Sequence, residues 1–211
     1  MNDERAGTAA DERGLDRILS LSDGIFAFAL TLLVLSLTVP VLSGERTSLN
    51  LLSSLSNDFN AFVSYGVSFF VISTWWVAHH RTLGHVKRYD SSLMWMNLFF
   101  LLFITIIPFL TELVNTYGDI QAAVIIYDGS QLLGGLTLSA LWRHVSKKHF
   151  LIEKKLTDEQ IKIIKIRTLI PSFVFLGAIG VSFITSAYSN FTLFAMFPAY
   201  MILARKSKLT D

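Results

Sequence analysis

Asp23 stands at the mouth of a long apolar run, with Arg17 and Ser22 just ahead of it. From Gly24 to Gly44, 21 residues pass without a charge. As a helix this run crosses a hydrocarbon core of about 30 Å. A carboxylate at the edge of such a span is costly in lipid and is turned toward protein or water. Arg17 and Asp23 are six positions apart. On one helix they face different ways and cannot form the pair that residues four apart make. Each therefore needs a partner from another helix, and Trp76, His79, His80 and Asn97 fall at the same membrane level. A polar clamp that sets helix register is favoured over a titratable element at a pore entrance, although one network can serve both ends.

Within the same run Ile25, Phe28, Leu32 and Leu35 recur at intervals of three, four and three. Thr31 lies on that flank, with Gly24, Ala27 and Ala29 interspersed. Such a stripe suits a symmetric seam or a narrow passage that gates ions by dewetting. Ordinary helix packing or lipid contact explains the same spacing and is commoner. Asp128 either faces a wet outer vestibule or marks a fourth span that begins deeper in the sequence, the second being preferred. His144 and His149 fall in a basic stretch and read as solvated.

Catalytic signatures are missing. There is no His-Glu-x-x-His, Gly-x-Ser-x-Gly or P-loop, and His79 and His80 are adjacent rather than four apart. The chain has no cysteine, hence no thiolate nucleophile or thiolate metal site. No catalytic residue, metal site or cofactor is expected, and the chain does not read as an enzyme. The potassium-filter string Thr-Val-Gly-Tyr-Gly is absent too. Its nearest fragment, Ser64-Tyr65-Gly66, lies inside a span.

The elements that must position these residues follow from composition. Of 211 residues 52% are hydrophobic and only 16% charged, against about a quarter charged in soluble domains. The expectation is an all-α, polytopic membrane protein of the cell membrane, a bacterial inner membrane by preference, embedded in lipid and with no nucleic-acid partner. Six transmembrane helices are expected. The first runs from about Leu15 to Pro40, the second from Phe59 to Ala78, the third from Ser91 to Thr111 and the fourth from Ile120 to Trp142. A tight turn at Tyr117-Gly118-Asp119 joins the third and fourth, and Gly134-Gly135 would allow close helix approach. Thr157-Asp-Glu-Gln160 is a capping box leading into the fifth span. The uncharged stretch 168–204 is too long for one helix and splits at Tyr188-Ser189-Asn190, giving a sixth span from Phe191 to Ala204.

Residues 1–12 read as a mobile cytoplasmic tail, 13–204 as one six-helix domain and 205–211 as a cytoplasmic tail. Seventeen of the 18 lysines and arginines fall on one side of this arrangement, Arg46 alone on the other, which places both termini in the cytoplasm.

The motif Arg17-x-x-x-Leu21-Ser22-Asp23 resembles the Arg-x-x-x-Phe-Ser-Asp signature of the transmembrane protein 175 family, the filterless potassium channels of lysosomes and bacteria. Trp76-x-x-His79-His80-Arg81, and Asn97 with Leu101-Leu102-Phe103 and Pro108-Phe109, are similar to that family's second and third spans. The chain departs at Leu21, where the family favours Phe. The resemblance implies a homotetramer around four copies of the first span. It places the constriction five residues after the motif Asp, at Phe28, where an aliphatic residue is usual, with Thr31, Leu32 and Leu35 as further layers. Arg17, Ser22 and Asp23 would form the clamp with Trp76, His79, His80 and Asn97. A potassium-selective or potassium-preferring leak cation channel is expected. The alternatives are a proton-conducting channel of the same fold and a non-conducting scaffold or carrier.

Overall fold

The computed structural model describes residues 2–42, 44–148, 151–152 and 156–184, with backbone only for 2–12. It is all-helical among these residues apart from one isolated bridge between Val86 and Ile152. Helix α1 spans Asn2–Leu32 and tightens into a 3-10 turn at Leu33–Ser36. It is followed by α2 (Ser48–Asn57), α3 (Phe59–Leu83), α4 (Ser91–Thr105), α5 (Ile107–Tyr117), α6 (Gln121–Lys147) and α7 (Asp158–Ser182).

Among the described residues five segments are long and apolar enough to cross a membrane: Arg13–Ser36, Phe59–Leu83, Ser91–Tyr117, Gln121–Lys147 and Asp158–Ser182. The expected sixth span lies outside the described residues, as does His149. The protein is thus a multi-pass membrane protein. Helix α1 runs back to Asn2 through the residues read as a tail.

Several boundaries differ from the expectations. The polar segment before Asp58 is a helix, α2, because the Thr47 hydroxyl caps it by accepting from the Asn50 N–H. The third span does not end at Thr111 but reaches Tyr117 in two pieces. Pro108 falls in the first turn of α5, where a missing N–H is tolerated. The fifth span starts at the Thr157 capping box itself, where Thr157 and Gln160 cap each other's backbone, so lead-in and span are one helix.

Helix α1 buries Leu15, Ile18, Ser22, Phe26 and Ala29, spaced three or four apart, and the turn after it continues the row with Leu33. Phe26, Ala29 and Leu33 join Ile72 and Trp75 of α3, Phe100 and Ile104 of α4, Ile107 of α5, Leu138 of α6 and Phe175 of α7 in the main core. A second cluster at the Leu15 end unites Leu83, Leu93, Trp142 and Val145 with Val86, Leu151 and Ile152 of the connecting links. Those links are stitched together where the Lys87 N–H donates to the Leu151 carbonyl at 2.8 Å. Helices α6 and α7 approach closely at Gly135. A methyl there would collide with the Ser172 hydroxyl and come within 3.0 Å of the Trp75 ring.

Candidate functional site

Ser22 is fully buried, and its hydroxyl donates to the Ile18 carbonyl at 2.8 Å. With its proton committed, its oxygen accepts from Asn97 Nδ2 at 3.0 Å. That orients the Asn97 amide so that Oδ1 faces His79 Nε2 at 2.7 Å. Since an amide oxygen only accepts, the network assigns the proton to His79 Nε2. The imidazole is held by more than this bond. It stacks in parallel on Phe100 at 5.3 Å and lies 5.6 Å from Phe26 in a tilted contact. A single chain of hydrogen bonds therefore joins α1, α4 and α3 through side chains that are almost wholly removed from solvent.

A second tie joins α1 to α3 at the surface of the chain. The Trp76 indole donates to Asp23 Oδ1 at 2.9 Å, and the same indole stacks on His80 at 5.3 Å. Trp75, one position earlier and buried, donates to Gln131 Oε1 at 2.8 Å and stacks on Phe175. Adjacent tryptophans thus anchor α3 to the first helix and to the last two described helices. Six of the residues expected in the clamp come together here: Ser22, Asp23, Trp76, His79, His80 and Asn97. Arg17 is exposed and takes no part in these bonds.

The apolar stripe sits on the far side of α1 from its buried face. Phe28 is 63% exposed and Leu35 71%. Thr31 is exposed, while Ile25 and Leu32 are half-buried. With Arg17, Leu21 and Gly24 the exposed positions recur at four, three, four, three and four, the spacing of a helix seam. The Thr31 hydroxyl donates to the Phe28 carbonyl at 2.9 Å, so what it shows outward is an oxygen lone pair.

Asp128 is buried, one of its oxygens without a hydrogen-bond partner. Helix α6 starts at Gln121, well before it. Neither expectation for Asp128 holds, since it is inside the helix and faces protein. His144 is not solvated as expected but half-buried, 2.9 Å from Asp90 Oδ2, which also accepts from Lys148 Nζ at 2.9 Å. Asp90 caps α4 by accepting from the Leu93 N–H. Burial pushes its carboxyl upward, but the bonds from Lys148, Leu93 and His144 outweigh this and hold it well below the usual carboxylate range. The roles of Phe26 and Phe100 around His79 were missed. The four-residue interval from Ser22 to Phe26 was the available signal.

This fold and site define a polytopic helical membrane protein whose first helix is pinned on one face and bare on the other. A family model described as endosomal/lysosomal potassium channel TMEM175 matches residues 17–108. A potassium channel of Chamaesiphon minutus is 31% identical over 180 residues, covering 84% of this chain and 88% of its own. One from Streptomyces collinus is 29% identical, covering 81% and 83%. The crystal structure of a lysosomal potassium-selective channel TMEM175 homolog from Chamaesiphon minutus superposes with a TM-score of 0.74 at 28% identity, over 92% of this chain and 98% of that one. The chain belongs to the TMEM175 family.

Proposed function

We propose that the chain is one subunit of a potassium-preferring leak channel, a homotetramer whose four first helices surround a central pore, with both termini cytoplasmic. The relatives from Chamaesiphon and Streptomyces are named potassium channels. One observation supports the pore assignment above the rest. The residues Phe28, Thr31 and Leu35 line up, bare, on a helix whose opposite face is fixed to α3 and α4.

In this reading Phe28 is the constriction and Leu32 and Leu35 extend the dewetted stretch. Thr31 supplies the polar contact. Its proton is already given to the Phe28 carbonyl, so its oxygen is free to face a partly dehydrated cation. Ser22, Asp23, Trp76, His79 and Asn97 hold the helix in register and touch no ion. No carbonyl filter is needed, consistent with the missing filter motif.

Potassium flux into liposomes tests this. Phe28→Ala should raise flux several-fold and weaken discrimination against sodium, and Thr31→Val should weaken it while Thr31→Ser keeps it. Folded protein without potassium flux, or flux indifferent to Phe28→Ala, overturns the assignment. A reversal potential that follows a proton gradient instead would transfer the pathway to protons. Particles without four-fold symmetry would remove the tetramer.

A further inference from the structure

A cavity of about 340 Å³ opens between the C-terminal end of α3, the link after it and the first half of α7. Its size falls in the range of ligand pockets, roughly 300–1,000 Å³. Four basic residues line it: His80 and Arg81 from α3, His85 from the link and Arg167 from α7. None of its ten lining residues is acidic. The rest of the wall is largely apolar, with Val77 on one side and Ile164 on the other.

His80 and Arg81 sit in the last turn of α3, where cations also complement the carbonyl end of a helix. That role does not extend to His85 or Arg167, which reach the same space from other segments. The hydroxyls on the wall add no donors, because Thr82 gives its proton to the Ala78 carbonyl and Thr168 to that of Lys165. The recognition chemistry is therefore that of guanidinium and imidazole N–H groups beside an aliphatic wall. The rings are held in place, His80 against Trp76 and His85 edge-on to Trp142.

We propose that this cavity binds a phosphate-bearing anion, its phosphate held by Arg81 and Arg167 with His80 and His85 alongside. Guanidinium is the side chain best matched to phosphate oxygens. The cavity sits at the end of the bundle where the basic links gather, and basic pockets between membrane helices on that side hold anionic headgroups. The aliphatic wall suits a phosphodiester carrying acyl chains, while the donors alone also suit free inorganic phosphate. The inference is independent of the pore assignment, because no residue of the bare stripe lines the cavity.

The test is thermal unfolding of the full-length protein in vesicles of phosphatidylcholine alone, in vesicles with phosphatidylglycerol, and in phosphatidylcholine with inorganic phosphate. An occupied site should raise the midpoint by about 5 °C. Arg81→Gln with Arg167→Gln should abolish the rise, and Arg81→Lys with Arg167→Lys should retain part of it. A rise confined to phosphatidylglycerol identifies a lipid headgroup, and an equal rise with inorganic phosphate identifies the soluble anion. Should the glutamine pair fail to fold, native mass spectrometry of the lysine pair and the wild type replaces it, with weaker retention of phosphatidylglycerol by the lysine pair expected. No anion-dependent rise, a rise the glutamine pair keeps, or equal retention in the mass spectrum overturns the proposal.

Discussion

The Trp76 indole and the Asp23 carboxylate meet at 2.9 Å across the interface of α3 and α1. This couples a helix whose outer face is bare to one anchored by Trp75 in the protein interior. A hydrogen bond to a charged acceptor contributes about 1.5–3 kcal/mol when sheltered, and less for a pair as exposed as this. A double-mutant cycle of Asp23→Ala and Trp76→Phe should give a coupling energy of about 1 kcal/mol in thermal unfolding. Asp23→Asn, which keeps an oxygen acceptor, should lose less than Asp23→Ala. Strict additivity of the two changes would mean that the contact contributes nothing.

Asn97 links Ser22 to His79, so its removal strands the buried His79 N–H and takes from the Ser22 hydroxyl the donor it accepts from, leaving Ser22 only its bond to Ile18. Asn97→Leu should cost about 2–4 kcal/mol. Ser22→Ala should cost about 1–2 kcal/mol, because it strands the Asn97 amide N–H alone. The order of the two costs, measured by denaturant titration in micelles, checks the direction of the hydrogen-bond chain. Equal losses would break it.

Asp90 sets an acid limit on stability. Its carboxyl titrates below the ordinary range in the folded protein. The stabilisation it brings is complete above the unfolded value of about 3.9 and disappears as pH falls from there through the folded value. Asp90→Asn keeps the helix cap but should flatten this acid limb. Asp90→Ala should also lower stability at neutral pH by about 0.5–2 kcal/mol. Unfolding midpoints from about pH 7 down to about pH 2 should show both effects. An acid limb unchanged in Asp90→Asn would assign it to other groups.

Gly135 tolerates no side chain. Gly135→Ala should cost about 1–3 kcal/mol by overpacking, and Ser172→Ala in the same chain should recover part of it. Gly177 has open space where a methyl would go, so Gly177→Ala should be neutral or slightly stabilising by helix propensity. If both alanine variants unfold at the same temperature, the close approach of α6 and α7 is not what glycine serves.

Much of this organisation was legible where it rests on period and charge. The uncharged run after Asp23 predicted the first span, and the Thr157 to Gln160 box marked the start of α7 in the structure. The same-level argument offered Trp76, His79, His80 and Asn97 as partners for Arg17 and Asp23; Trp76 does reach Asp23, whereas Asn97, backed by His79, reaches Ser22 instead. What failed was local competition. Ser48 to Asn57 reads as a loop by composition, yet one Thr47 cap suffices to start α2. His144 looks solvated among basic residues, but its partner Asp90 is distant in sequence and carries no local signal. Arg17 shares a motif with Asp23 but not its direction around the helix. The partly buried positions Ile25 and Leu32 likewise separate from Phe28 once neighbouring helices are in place.

The pinned face of α1 also constrains how the helix can move. Ser22 and Asp23 act as a key in a slot: spinning the rod about its long axis would tear both ties and swing a hydroxyl and a carboxylate toward lipid. Beyond those ties Leu33, which opens the tighter Leu33–Ser36 turn, is fully buried in the main core, so packing holds that end as well. A change in the space beside Phe28 that keeps these ties therefore has to carry the neighbouring segments along with the rod.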